Sequence, residues 1–389
     1  MAIAERVYLD HAATTPLDPE VAELMARVLR DVSGNPSSIY AEGRAARAVV
    51  DQARDEVAAA IGAEAREIIF TSGGTEADNL AIRGVLKAAR SERDHLVTTA
   101  IEHHAVLDTA RDLEAHAHVR LTILPVDPEG RVSPAAVGAV ADTRTALVSV
   151  MHGNKEIGTL QPISEIGALC RVREIPFHSD AVQTVGAVPF DVRSIPVDLV
   201  SVNAHKFYGP KGVGALYVRT GTRISTMQTG GGQEKGRRPG TENVAGIAGL
   251  GAALRLAAAR RDREAVRQTA LRDRLIAGVL ARIPDVAITG HRSQRLPNNA
   301  SFCFRGTQGE ALIVALDLAG FAASSGSACT SGSTEPSHVL LALGLDRDLA
   351  QGSLRLSVGH GTTEAEVDAL LAALPPIVAR LRAVSSVTA

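Results

Sequence analysis

Cysteine is scarce in this chain. Its 389 residues include three, Cys170, Cys303 and Cys329, with no paired spacing. That argues against a disulfide framework or a zinc site and fits a reducing cytoplasm. An excess of one charge is missing as well: 41 Lys and Arg face 43 Asp and Glu, a net charge of −2. The balance leaves no electrostatic footprint for nucleic acid or an anionic membrane. Long apolar runs are lacking. The smoothest, "VAGIAGLGAALRLAAA" (244–259), contains glycine and is interrupted by Arg255, so it reads as a buried helix rather than a membrane span. The first residues, "MAIAERVYLDHAATT", carry Glu5, Arg6 and Asp10 and no apolar h-region, which speaks against a signal peptide. There is no internal repeat, no low-complexity tract beyond richness in alanine, and no Pro/Gly-rich linker. What remains is an ordinary soluble mixture, 45% hydrophobic and 22% charged, long enough for two or three domain-sized cores.

From about residue 66 the pattern alternates strand and helix. "EIIFTS" (67–72) reads as a strand and is followed by a helix over about 75–90. "HLVTTA" (95–100) is the next strand, with a helix from about 104. Further short strands are "LTILPV", "ALVSVM", "PFHSD", "DLVSVN" and "GALYVR". Several lack polar alternation, as strands covered on both faces should. Such repetition predicts an α/β fold with a mostly parallel sheet and right-handed crossovers. After about 245 the pattern changes. An Ala, Arg and Leu-rich stretch (245–284) reads as one or two helices. It is followed by the strand "NNASFCF", the helix "ALIVALDLAG", a serine-glycine loop, the strand "SLRLSVG" and an amphipathic helix from about 363 to 382. This predicts a smaller α+β domain packed closely on the first.

Ligands in open α/β sheets bind at the carboxyl ends of the strands, so those positions matter most. "GGTEADN" follows the first strand. Gly73 and Gly74 allow close backbone approach, Thr75 adds a hydroxyl, and a helix start there suits a phosphate, although an ordinary N-cap looks the same. "IEHHAV" puts His103 and His104 at another helix start, where a lone histidine is more often a cap or packing residue. Asp180 and Gln183 follow "PFHS"; an acid there is often only an N-cap. Lys206 follows His205 in "AHKFYGPKG", and a lysine near a strand end is usually a solvated charge. Taken together the odds change. A lysine for a Schiff base, an acid for a pyridinium nitrogen and donors for a phosphate are the parts a pyridoxal phosphate enzyme needs. Cys329 is equally odd. Free cysteine usually behaves as a small buried hydrophobe. Cys170 and Cys303 have apolar neighbours, whereas Cys329 sits in "SSGSACTSGSTEPS".

The stretches "YLDHAATTP", "GNPSS", "FTSGGTEADN", "IEHHAVLD", "HSDAVQTVG", "AHKFYGPKGVGALYVR", "GGGQEKGRRPGTENVAGI", "SSGSACTSG" and "LRLSVG" together resemble the group I cysteine desulfurases, along nearly the whole chain. The resemblance implies a fold-type I, pyridoxal 5'-phosphate-dependent homodimer. Its large domain would span 15–258. The small domain would take 1–14 and 259–389 and carry the catalytic-cysteine loop at about 322–337. It implies that Lys206 carries the cofactor as a Schiff base, Asp180 pairs with the ring nitrogen, and Gln183 bonds the phenolic oxygen. His103 would stack on the ring and assist proton transfer. Gly74, Thr75 and His205 would hold the phosphate, with Thr241 reaching it from the partner subunit. Arg355 would clamp the substrate carboxylate, Asn35 would also contact substrate, and Cys329 would be the nucleophile. The implied reaction turns L-cysteine into L-alanine and leaves sulfur on Cys329 as a persulfide. An iron–sulfur scaffold or a tRNA-thiolation protein would then accept it. A resting structure is expected to show the Cys329 loop poorly ordered or far from Lys206.

The chain departs from the family pattern in places. Lys155 in "GNKEIG" stands where the family has a second asparagine that bonds the phenolic oxygen. A lysine there could donate to the same oxygen, add a second positive charge beside the Schiff base, or turn outward. Asn203 replaces a serine that donates to the phosphate, a role an amide also fills. Tyr40 replaces a frequent histidine, with no assigned consequence, and His360 has no evident reason. A selenocysteine lyase of the same fold, or a scaffold impaired by Lys155, are the competing readings.

Overall fold

The computed structural model describes residues 6–90, 92–325 and 335–388. Cys329 and the expected conformation of its loop lie outside the described residues. Along the chain come β1 (Val7–Tyr8), α1 (Pro19–Asp31), α2 (Ala41–Ile61), β2 (Ile68–Thr71), α3 (Gly74–Ala88), β3 (His95–Thr99) and α4 (His104–Ala117). β4 (Arg120–Leu124), α5 (Pro134–Val140), β5 (Thr145–Ser149), α6 (Ile163–Val172), β6 (Phe177–Asp180), β7 (Leu199–Asn203) and β8 (Gly214–Val218) follow. The seven strands β2 to β8 form one sheet in the order β2-β8-β7-β6-β5-β3-β4. β4, β3, β5, β6 and β7 pair in parallel, whereas β8 is antiparallel to both β7 and β2. β2, β3, β5, β6 and β8 are buried along their whole length, because helices cover both faces.

The stretch before residue 66, which shows no strand-helix alternation, folds as α1 and α2. Asp18 caps α1, its side chain accepting from the Glu20 N–H at 2.9 Å, and Pro19 opens the helix. α2 buries a small-residue face, Ala46, Val50, Ala53 and Val57, against α7 (Val244–Arg282). A Cβ at Gly251 of α7 would lie 2.8 Å from Ala53 Cα, so glycine sets how closely these helices approach.

The Ala-, Arg- and Leu-rich stretch forms a single helix of 39 residues, about 58 Å long. Its first half, from Ile247 to Ala257, belongs to the core under the seven-stranded sheet. Its second half, with Leu271, Leu275 and Val279, belongs to another core. That second core is built on a three-stranded antiparallel sheet, β12-β10-β9, formed by β9 (Val286–Ile288), β10 (Asn299–Phe304) and β12 (Ser353–Ser357). α8 (Gly309–Leu318) and α11 (Glu364–Thr388) cover it. β11 (Phe321–Ala322) pairs in parallel with β1, which ties the start of the chain to this second part. α9 (His338–Ala342) and α10 (Arg347–Gln351) complete the described elements. No helix among the described residues is long and apolar enough to cross a membrane.

Candidate active site

Loops at the carboxyl ends of β2, β3, β5, β6 and β7 converge on a cavity of about 320 Å³. Small-molecule sites commonly have this size and position. Its wall includes Gly74, Thr75, His103, Lys155, Asp180, Gln183, Asn203, His205, Lys206 and Arg355. Asn35 and Thr241 are not part of the wall; both are exposed, and the Asn35 side chain accepts from the Ser37 N–H at 2.9 Å.

At one end of the cavity α3 begins. Gly73 offers no side-chain cap, so the positive end of the helix dipole is not covered by one, and Gly74 and Thr75 of the first turn line the cavity. A Cβ at Gly74 would stand 2.9 Å from Val182 Cγ2 and 3.4 Å from Asn203 Nδ2, so a side chain there would fill the cradle. The His205 ring lies beside it, its Nδ1 3.0 Å from Thr14 Oγ1. Burial, with help from the Lys206 and Lys211 charges, lowers that imidazole to about 4. Asn203 Oδ1 is buried and has no hydrogen-bond partner among the described residues.

At the floor Asp180 ends β6. Burial raises its carboxyl above the usual range, and three contacts oppose that rise: the Val182 N–H at 2.9 Å and the charges of Lys155 and Lys206. Lys206 follows β7 in a short 3₁₀ turn, Ala204–Lys206. Its Nζ donates to the carbonyls of Ala12 and Ala13 at 2.8 and 2.6 Å, which holds the amine at the cavity wall. Gln183 Nε2 donates to the same Ala12 carbonyl at 3.0 Å. Residues 12–15 therefore clasp the lysine loop, and Thr15 reinforces them by accepting from the Tyr208 N–H at 2.8 Å.

His103 does two things at once. It caps α4, its Nδ1 accepting from the Ala105 N–H at 3.0 Å, and it lines the cavity. Burial, then the Lys155 and Lys206 charges, lowers it to about 3, so the ring is neutral. With Nδ1 used as an acceptor, the ring proton belongs on Nε2.

Lys155 points to the cavity rather than to solvent, and its charge acts on both His103 and Asp180. Asn154 builds the turn that presents it. The Asn154 Oδ1 accepts from the Glu156 and Ile157 N–H groups at 2.8 and 3.0 Å, and its Nδ2 donates to the Ile101 carbonyl at 2.9 Å.

Arg355 reaches the site from β12 and is 2% exposed. One guanidinium nitrogen donates to Asp10 Oδ1 at 2.7 Å and another to the Lys155 carbonyl at 3.3 Å. Its Nε has no partner among the described residues. The described residues on either side of the Cys329 segment are anchored beside Arg355 and Lys155. Ser324 exchanges backbone hydrogen bonds with Arg355, and Ser337 Oγ donates to the buried Glu156 beside Lys155.

Sequence reasoning missed three acids here. Asp10 appears in the sequence only as a charge near the N-terminus, yet it partners Arg355. Glu102 is buried, accepts from Thr99 Oγ1 at 2.6 Å and from the Met151 N–H, and burial pushes its carboxyl up to about 8. Asp78 lines the cavity beside Asp180. Its signal is the helix period: it stands four residues after Gly74 on α3, on the same face.

Known proteins carry the same organisation. The Aminotransferase class-V family model matches residues 7–370. A protein of Clostridium botulinum named cysteine desulfurase IscS is 49% identical over 383 residues, covering 98% of this chain and 96% of its own. A solved structure described as a NifS-like protein superimposes with a TM-score of 0.90 at 36% identity, over 97% of this chain and 100% of its own. Another, described as SspA in complex with cysteine, gives a TM-score of 0.79 at 33% identity, over 90% of this chain and 98% of its own. Identity of this extent, over a fold and a cavity of this kind, means that the chain belongs to the Aminotransferase class-V family, in its cysteine desulfurase branch.

Proposed function

We propose that the chain is a pyridoxal 5'-phosphate-dependent cysteine desulfurase that converts L-cysteine into L-alanine and carries the sulfur on Cys329. One observation supports this above the rest. A lysine amine, a buried carboxyl, a neutral imidazole, an uncapped helix start and a buried guanidinium line a single cavity of about 320 Å³. The donor set fits the cofactor. Gly74, Thr75, Asn203 and His205 would hold its phosphate, and the cradle at Gly74, with the Asn203 Nδ2 donor beside it, suits that task. Asp180 would face the ring nitrogen, His103 the ring, and Gln183 and Lys155 the phenolic oxygen, while Lys206 is the amine that would bind it covalently. When bound, pyridoxal phosphate supplies an electron sink for the charge released at the substrate α-carbon.

The chain's own groups do the rest. Arg355 has one donor on Asp10 and a free buried Nε, so it can fix a carboxylate without leaving its own site unbalanced. Lys206 takes the α-proton, and neutral His103 can hand a proton on through Nε2. The Cys329 thiolate forms an S–S bond to the substrate sulfur as the substrate's C–S bond breaks. The electron pair of that bond goes to carbon, which takes up a proton. Cysteine plus the Cys329 thiol thus becomes alanine plus the Cys329 persulfide, with no outside oxidant or reductant. Tight anchoring of Ser324 and Ser337 at the rim supports delivery of that cysteine to the site.

The proposal includes a homodimer. Thr241 is exposed and outside its own chain's cavity, while Arg238 nearby is tied to Glu76 of α3 at 2.8 Å. That arrangement suits a threonine offered to a partner's phosphate site. The persulfide would pass to an acceptor protein such as an iron–sulfur scaffold. Cys170 and Cys303, both pushed up to about 12 by burial, are inert thiols that suit a reducing, cytoplasmic setting. The test is direct. Protein loaded with pyridoxal phosphate should show a visible absorbance band that changes on adding L-cysteine, with alanine released. Cys329→Ser should keep the band and stop alanine formation. A colourless protein that leaves cysteine untouched would refute the reading.

A further inference from the structure

A row of polar side chains under the cavity has no task in the reaction above. Ser149 of β5, His178 of β6 and Ser201 of β7 lie on adjacent strands and are fully buried. Strand register sets Ser149 opposite His178, and Ser201 opposite Asp180. The His178 ring joins the two serines, with Nδ1 2.8 Å from Ser149 Oγ and Nε2 3.0 Å from Ser201 Oγ. α3 closes the row with Asp78, which is 2% exposed and faces the Ser201 hydroxyl. Asp78 Oδ1 stands 3.6 Å from His178 Nε2 and has no hydrogen-bond partner among the described residues.

Asp78 and Asp180 are both buried in the wall of the same cavity, and the charge of Asp180 raises the Asp78 carboxyl, so ionisation of both together is disfavoured. Their surroundings differ. Asp180 has the Val182 N–H and faces the charges of Lys155 and Lys206. Asp78 faces the acids Asp180 and Glu102, the Ser201 hydroxyl and the His178 ring, which burial keeps neutral, at about 3. Among the described residues no Lys or Arg forms an ion pair with it. The negative charge thus belongs on Asp180 and the proton on Asp78.

We propose that Asp78 is a positioning residue, a neutral carboxylic acid held against the Ser201–His178–Ser149 row that leaves Asp180 as the ionised group at the cavity floor. Its role toward the cofactor rests on the reading above, since an anion at Asp180 is what a protonated ring nitrogen needs. The protonation claim stands without the cofactor.

Asp78→Asn copies a neutral acid in shape and charge. Its pyridoxal phosphate affinity near neutral pH, and the pH at which the visible band changes, should stay within about threefold and a few tenths of a pH unit of wild type. A loss of tenfold or more would show that Asp78 acts as a second anion and would overturn the proposal. The apoprotein gives an independent readout. Burial and the neighbouring acids raise the Asp78 carboxyl well above its ordinary value. The folded state therefore keeps a proton that the unfolded chain gives up. That contribution is complete below the unfolded carboxyl range and is lost as pH rises through the folded value. Wild-type stability should fall with rising pH by up to one proton more steeply than that of Asp78→Asn. Equal slopes would overturn the proposal, even if pyridoxal phosphate never bound. Asp78→Ser is a second neutral variant; failure of both to fold would also count against it, because a neutral acid is replaceable by a neutral group.

Discussion

The two larger sheets of this protein differ in the polar residues they bury: ionisable groups in one, mostly uncharged groups in the other. The seven-stranded sheet buries Ser149, His178, Ser179, Asp180 and Ser201 at the ends of its central strands, next to Asp78 and Glu102 from its flanks. The three-stranded sheet buries Phe302, Phe304, Leu354 and Leu356 together with the uncharged Asn299, Ser301, Ser353 and Ser357, and contributes one charged group to the cavity, Arg355. Burying polar groups is costly unless they are hydrogen-bonded or paired. The large sheet gathers its buried acids at the cavity end, while His95 at the other end of β3 is satisfied by Thr145 and Thr122. The small sheet is a largely uncharged mount that places a guanidinium in the cavity wall.

Breaking the mount should give the larger effect. Phe302 is fully buried and pairs across the sheet with Leu354. Phe302→Ala should lower stability by about 3–5 kcal/mol, read from urea unfolding. Arg355 is also held by Asp10, so activity per folded molecule should stay near wild type. A large loss of activity with unchanged stability would mean that the small sheet takes part in the chemistry. The smaller effect sharpens the polar side. Lys155 adds a positive charge near Asp180 and His103. Such a charge disfavours a second cation, so it should lower the pH at which the chromophore proposed on Lys206 loses its proton. Lys155→Asn should raise that pH and improve cofactor binding or cysteine turnover by a few-fold. If the titration and the turnover both stay where they were, Lys155 does not perturb the site.

Much of this contrast is legible in the sequence. The unalternating runs "EIIFTS", "ALVSVM" and "DLVSVN" become buried strands, the first at the edge of the sheet and the other two inside it, because cover on both faces removes the need for polar alternation. Reading only the residues after those strands also finds most of the cavity wall, from Gly74 to Lys206. Direction is not legible. "GALYVR" reads like its neighbours, yet β8 runs antiparallel to them, since periodicity carries no sense of direction. α1 and α2 are not legible from strand-helix alternation, because they pack on α7 rather than between strands. Asp10 and Asp78 look like ordinary surface acids, and their meaning comes from partners 345 residues away in one case and from a neighbouring strand in the other.

Two lysines line one cavity, and the account assigns the covalent cofactor link to Lys206 alone. Borohydride reduction of the pyridoxal phosphate-loaded protein, followed by mass spectrometry of its peptides, tests that assignment most directly. The account predicts one reduced pyridoxyl adduct per chain, on Lys206. An adduct on Lys155, or none on either lysine, would contradict it.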